Sequence, residues 1–269
     1  MLRRRLFFAA AASLATGTAI PAAAAALGTA AGPLRVGVDR SLVESGLAAN
    51  LRRAFAADTG IAVKLVAGPA LAILEAIQNG EVDAALTNAP DAEAELDRQG
   101  LAHDRRPIAT GEFVLVGPMP RVRGKAAPAS HSGVGMLTAL RDRALADPAS
   151  VAFLSPADGS GVHVVEQALW RAARIAPVPP WYAAAEPDRS FIGQVRIRGA
   201  YALVERGAWA ALGGEPLGIV VDGDPALTEA VHAMRSFRVS HPAGKIFVAW
   251  IAGGRGRAVA ASHRGYRAG

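Results

Sequence analysis

The chain has 269 residues, a formal charge of +6 and no cysteine. That length fits one large domain or two modest ones, and a composition of 51% hydrophobic residues gives either enough apolar surface for a real core. The missing cysteine excludes a disulfide framework, a thiolate metal site and an N-terminal lipid-bearing Cys.

The first elements in chain order belong to export. Arg3-Arg4-Arg5, an apolar run from Leu6 to Ala15 and small residues through Ala22 to Ala26 read as a cleaved signal over residues 1–26. The apolar run falls short of the ~20 residues of a membrane span, so a retained anchor is the weaker reading. Arg4-Arg5-Leu6-Phe7-Phe8 resembles a twin-arginine motif, and the general secretory route stays open beside it. Once the three arginines leave, the excess charge is about +3, scattered over single arginines with few interleaved aromatics. That pattern disfavours nucleic acid as a partner, whereas a mild positive field suits a small anion.

Leu34 to Val38 predicts a strand, and Leu47, Leu51, Ala54 and Phe55 have the spacing of a helix over 47–59, stopped by Gly60. Ile61 to Val66 reads as a strand, Ala70 to Asn79 as a helix stopped by Gly80, and Val82 to Thr87 as a strand. This alternation is the signature of parallel α/β units. Phe113 to Pro118 is a further strand, followed by a Pro-, Gly- and Ala-rich connection over 119–135. Beyond it the expected elements are a helix at 137–146, a strand at 151–154, a helix at 164–174, a strand at 199–204, a helix at 206–212 and a strand at 217–221. Phe237-Arg238-Val239 is expected to carry the chain back to the first unit, where helices at 245–252 and 257–263 pack.

Two turns carry the candidate chemistry. Ser155 to Glu166 holds a small-residue turn, Asp158-Gly159-Ser160-Gly161, leading straight into a helix. The N–H groups of Gly159, Ser160, Gly161 and Val162 and the Ser160 hydroxyl suit an anion there. The second turn, Arg40 to Gly46, follows the first strand and offers the Ser41 hydroxyl and the Arg40 guanidinium. Turns so far apart in sequence suggest a ligand gripped between two lobes. Asp158 and Ser160 are equally good turn and cap residues in any protein, Ser45-Gly46 is expected to cap the 47–59 helix, and Glu166 to be structural.

The chain resembles the periplasmic tungstate-binding proteins of ABC transporters. The family run Thr-Thr-Thr-Ser-Thr-x-Asp-Ser-Gly-Leu aligns with Val38-Asp39-Arg40-Ser41-Leu42-Val43-Glu44-Ser45-Gly46-Leu47. Its Thr-Gly-Ile-x-Val aligns with Thr59 to Val63, its Ala-Pro with Ala89-Pro90, its Arg-Arg-Pro with Arg105 to Pro107 and its Phe-Val-x-Val-Gly-Pro with Phe113 to Pro118. Its second signature, Ser-Arg-Gly-Asp-x-Ser-Gly-Thr-x-x-x-Glu, aligns with Ser155 to Glu166, and its Ala-Tyr-x-Leu-x-x-Arg-Gly-x-Trp with Ala200 to Trp209. The resemblance implies a two-lobed α/β periplasmic binding protein, type II-like, with a discontinuous first lobe (27–118 and 230–269) and a second lobe at 119–229. It implies capture of a small oxyanion such as tungstate or molybdate, delivery to an inner-membrane ABC permease, no cofactor and a monomer free in the periplasm.

The departures fall on the ligand residues. Family Thr positions are Val38, Asp39, Arg40 and Leu42 here, the second-signature Arg is Pro156 and its Thr is Val162. Arg40 is the expected substitute for the lost guanidinium, whereas Asp39 would repel an anion unless paired with Arg40. The alternatives are a divergent binder of another small anion, such as an organic acid, or an accessory or sensor protein on the same scaffold. Enzyme chemistry has little support. The six histidines form no metal-binding pattern, no Gly-Lys-Ser/Thr phosphate loop occurs, and Ser160 lacks a nucleophile elbow. Trp170, Trp181, Trp209 and Trp250 read as packing residues.

Overall fold

Apolar stripes and glycine stops build a parallel unit first. A computed structural model describes residues 32–269 other than 120, 123–124, 127 and 188; the export signal expected at 1–26 lies outside them. Strand β1 (Leu34–Asp39) pairs in parallel with β2 (Val63–Gly68) on one side and β3 (Ala84–Thr87) on the other. Helices α1 (Arg40–Glu44) and α2 (Leu47–Thr59) connect β1 to β2, and α3 (Ala70–Asn79) connects β2 to β3. In α2 the buried residues Leu47, Ala48, Leu51 and Phe55 form one stripe. The helix stops at Gly60, whose φ of 71° is a left-handed cap favoured by glycine. Phe55 meets Phe247 and Trp250 edge-on, with ring centroids 5.2 and 5.4 Å apart.

After the acidic helix α4 (Pro90–Arg98) comes β4 (Ala102–Pro118), 17 residues long, where only Phe113 to Pro118 was expected as strand. Its first part pairs with β11 (Thr228–Ser236) and β12 (Tyr266–Ala268), its last part with β9 (Ala202–Glu205) and β10 (Leu217–Val221), all antiparallel. The sheet therefore runs β10-β4-β11-β3-β1-β2, with β9 and β12 also on β4. One core holds Leu34, Phe55, Ile108, Ala109, Val231 and Phe247; another holds Phe113, Leu115, Phe153, Trp170 and Leu203. The crossover falls inside β4, between Ala109 and Phe113, so this strand serves both lobes.

The second lobe carries the short hairpin β5 (Arg121–Val122) and β6 (Lys125–Ala126), then α5 (Gly133–Ala146), β7 (Phe153–Ser155), α6 (Gly161–Ala172), β8 (Tyr182–Ala184), α7 (Phe191–Arg198) and α8 (Arg206–Leu212). Helix α6 starts three residues before the expected Val164, directly from the small-residue turn. The expected return at Phe237–Val239 is corrected: β11, already paired with both β3 and β4, brings the chain back before that tripeptide. Helices α9 (Pro242–Ile251) and α10 (Gly254–Ala261) then pack on the first lobe. The architecture is a two-lobed α/β fold whose first lobe is assembled from separated stretches of chain.

Candidate functional site

The two singled-out turns meet between the lobes. β1 and the start of α1 deliver Asp39, Arg40 and Ser41 from the first lobe; the turn after β7 and the start of α6 deliver Asp158 to Val162 from the second. Arg40, Ser41, Glu44, Asp158, Ser160 and Val162 line a cavity of about 30 Å³, space for a water molecule or two. Arg40 and Asp158 also line a wider hollow of about 400 Å³ with Glu186, Arg189 and Phe191. Gly159 and Gly161 stand beside these spaces, in contact with the first lobe. A Cβ on Gly161 would lie 1.9 Å from Asn88 Oδ1, and one on Gly159 would lie 3.3 Å from the Leu71 side chain. The Leu71 N–H donates to the Gly159 carbonyl at 3.1 Å, so the lobes are shut on one another.

The expected donors are present, but most are engaged. Gly159 N–H donates to His163 Nδ1 at 3.0 Å and Ser160 N–H to Asp158 Oδ1 at 2.9 Å. Gly161 N–H donates to Asp39 Oδ2 at 3.1 Å. Ser160 caps α6, its Oγ accepting from His163 N–H at 3.3 Å. Thus three of the four amides in this run already serve side chains of the protein, and the capping role weighed for Ser160 is realised. A capping hydroxyl retains its own proton to donate.

Asp39 has no exposed surface. Its Oδ1 accepts from Ser41 N–H at 2.9 Å and from Ser41 Oγ–H at 2.6 Å, which also caps α1. The pairing considered between Asp39 and Arg40 does not form. Arg40, with 42% of its side chain exposed, has its Nη1 3.9 Å from Asp158 Oδ2 instead. Burial raises the Asp39 carboxyl above its ordinary range and the Asp158 charge adds to this, while the Ser41 and Gly161 hydrogen bonds pull it back. Burial likewise raises Glu44, against the pull of Arg40. One guanidinium therefore stands among three carboxylates: Asp39, Glu44 and Asp158.

Neighbouring groups brace the walls. Asn88, 2% exposed, ends the turn after β3 with Oδ1 unpartnered. Behind it the buried Glu93 carboxylate accepts from Thr87 Oγ1, Ala89 N–H and Arg105, and its Oε2 lies 2.7 Å from His232 Nδ1. Glu166 sits inside the second lobe, accepting from Tyr182 O–H at 2.8 Å and Trp170 Nε1–H at 3.1 Å through one oxygen, while the other has no partner. Burial pushes its carboxyl up to about 7. This is the structural role expected of Glu166. Asn88, Glu44 and the Asp39 bridge were not singled out from sequence; the Asp-x-Ser pattern at a strand end was the available signal for an Asp39 cap, but nothing local pointed to Gly161. Among the described residues no group of three His, Asp or Glu side chains is placed to hold a metal ion.

With this geometry in place, comparison with known proteins gives a consistent picture. Residues 23–252 match the family model described as the PBP superfamily domain. A tungstate-binding protein, TupA, of Peptoclostridium acidaminophilum is 26% identical over 82% of this chain and 77% of its own length. A Haloferax volcanii protein named as a candidate anion-binding protein of an ABC transporter is 30% identical over 66% of this chain; the match spans half of that protein's length. The solved structure titled as the tungstate ABC transporter from Geobacter sulfurreducens superposes with a TM-score of 0.68 at 25% identity, covering 84% of this chain and 97% of the other.

Proposed function

The chain belongs to the PBP superfamily, and from that premise we propose that it is a periplasmic solute-binding protein that captures a small oxyanion, tungstate or molybdate in type, for an ABC permease. The observation that carries this reading is the meeting of Arg40 and Ser41 with the N-terminus of α6 at the lobe interface. The relatives named for tungstate and anion binding support it. Arg40 supplies the cation and the Ser160 hydroxyl and Val162 amide supply donors at the N-terminus of α6, joined by the Ser41 hydroxyl and the Gly161 amide when Asp39 gives them up. Closing the lobes by hinge motion brings these groups together. Binding needs no covalent step, and we assign no enzymatic role. The partners are the small anion and the inner-membrane permease, not nucleic acid. Export by the 1–26 signal, lobes divided as 27–118 with 230–269 and 119–229, and a monomeric state complete the proposal.

Calorimetric titration with tungstate, molybdate, sulfate and phosphate tests it. The expected result is saturable heat with at least one of them, together with a raised melting temperature. Arg40→Ala is expected to weaken that binding about ten-fold or more, the effect of a lost charged hydrogen bond. No heat and no thermal stabilisation with any oxyanion would refute the proposal.

A second reading is favoured by the carboxylates. Glu44 and Asp158, which line the space of about 30 Å³, and the buried Asp39 carboxylate bonded to Ser41 behind it oppose a dianion more than a singly charged solute. On that reading the scaffold takes another small anion, such as a monocarboxylate, and the same titration with acetate and lactate distinguishes the two.

A further inference from the structure

Three of the donors that converge between the lobes are satisfied by one negative group of the protein's own. Asp39 leaves the end of β1 fully buried, accepts both donors of Ser41 through Oδ1, and reaches across the interface with Oδ2 to the Gly161 N–H in the first turn of α6. A carboxylate at this end of a twelve-residue helix is electrostatically favoured, as any anion would be. The guanidinium beside it turns to Asp158 instead. Asp39 therefore makes the set of contacts expected of a bound oxyanion: a serine hydroxyl, a serine amide and a helix N-terminal amide, drawn from both lobes.

We propose that Asp39 is the specificity-determining residue of this site: its carboxylate stands where an external oxyanion is held, fastens the lobes through Gly161, and admits only a solute that can displace it. This rests on reading the interlobe space as the solute site. The consequence is a protein that stays closed without solute and discriminates by competition with an internal ligand. Displacement means that Asp39 gives up Gly161 N–H and Ser41 Oγ–H to the incoming anion, and turns away from it because like charges in so small a space repel.

Small-angle X-ray scattering of the purified protein with and without tungstate tests this, using wild type, Asp39→Asn and Asp39→Ser. Both substitutes can still cap α1. Asparagine sets an amide donor against the Gly161 N–H, and serine is too short to reach it. Wild type is expected to be compact in both conditions, with a radius of gyration of about 18 Å for a chain of this length. The variants are expected to be larger by about 1 Å without solute, to return to the wild-type value with tungstate, and to bind tungstate about ten-fold tighter or more. If a variant opens and no oxyanion recloses it, the internal ligand stands and the oxyanion function falls. If either folded variant, verified by circular dichroism, scatters as wild type without solute, Asp39 does not fasten the lobes. A wild type that is itself expanded without solute overturns the proposal regardless of the variants.

Discussion

Glu166 shows how a residue matched by sequence acquires its meaning from its surroundings. Its carboxyl is enclosed by Trp170 and Tyr182, one oxygen takes every hydrogen bond, and burial moves its titration from an ordinary 4.5 to about 7. The folded state thus holds a proton that the unfolded chain releases near pH 4.5. The stabilisation is fully present below about pH 4.5 and is lost as pH rises to about 7, a difference of about 3 kcal/mol. Glu205, pushed up to about 8 by burial despite two backbone donors, acts in the same direction. Glu166→Gln presents an amide in place of the protonated acid. It is expected to melt above wild type at pH 8 and to flatten the fall in melting temperature between pH 5 and pH 8. Thermal melts at both pH values check this, and a variant with the same pH slope as wild type contradicts it.

Helix α6 ties the site to the closed state at the scale of an element. Its first residue, Gly161, lies against Asn88 of the other lobe so closely that a methyl group cannot enter without parting them. Gly161→Ala is therefore expected to cost about 1–3 kcal/mol through overpacking and to lower oxyanion affinity at least about ten-fold, because closure assembles the donors. Differential scanning calorimetry and titration would detect both; unchanged affinity would show that the contact is not needed for binding. Much at this scale was legible in the sequence. The spans 47–59, 70–79, 206–212 and 217–221 coincide with α2, α3, α8 and β10, where apolar spacing and glycine stops agree. Helix α1 is one turn long, too short for a periodic signal. In α4 the sequence Pro-Asp-Ala-Glu-Ala-Glu-Leu-Asp-Arg buries only Glu93, leaving no apolar stripe to read despite a proline start and acidic first turn. The turns at 40–46 and 155–166 are expected from sequence to grip a ligand between two lobes, and the structure brings them together through the Asp39–Gly161 contact. Who occupies their donors was not legible, since Asp39 and Gly161 are 122 residues apart and their contact exists only when the lobes are packed.

The whole molecule joins its lobes at strands that serve both. β4 leaves one core at Ala109 and enters the other at Phe113. At that crossing the Glu112 carboxylate is ion-paired with Arg206 of the second lobe at 2.8 Å and with Arg267 of the first at 2.9 Å. The ion-paired stretch of β4 thus lies where the chain passes between the lobes, and the Asp39–Gly161 and Leu71–Gly159 contacts join them across the interface. Anions have another cationic surface to choose: a hollow of about 330 Å³ on the first lobe carries Arg106, Lys245 and Arg257 beside Asp104. Binding alone therefore does not locate the site. Crystals grown with tungstate and measured at a tungsten absorption edge do. The predicted result is one anomalous peak between the lobes, beside Ser41 and the N-terminus of α6, with Asp39 displaced; a peak confined to the Arg106–Lys245–Arg257 hollow would contradict the interlobe site.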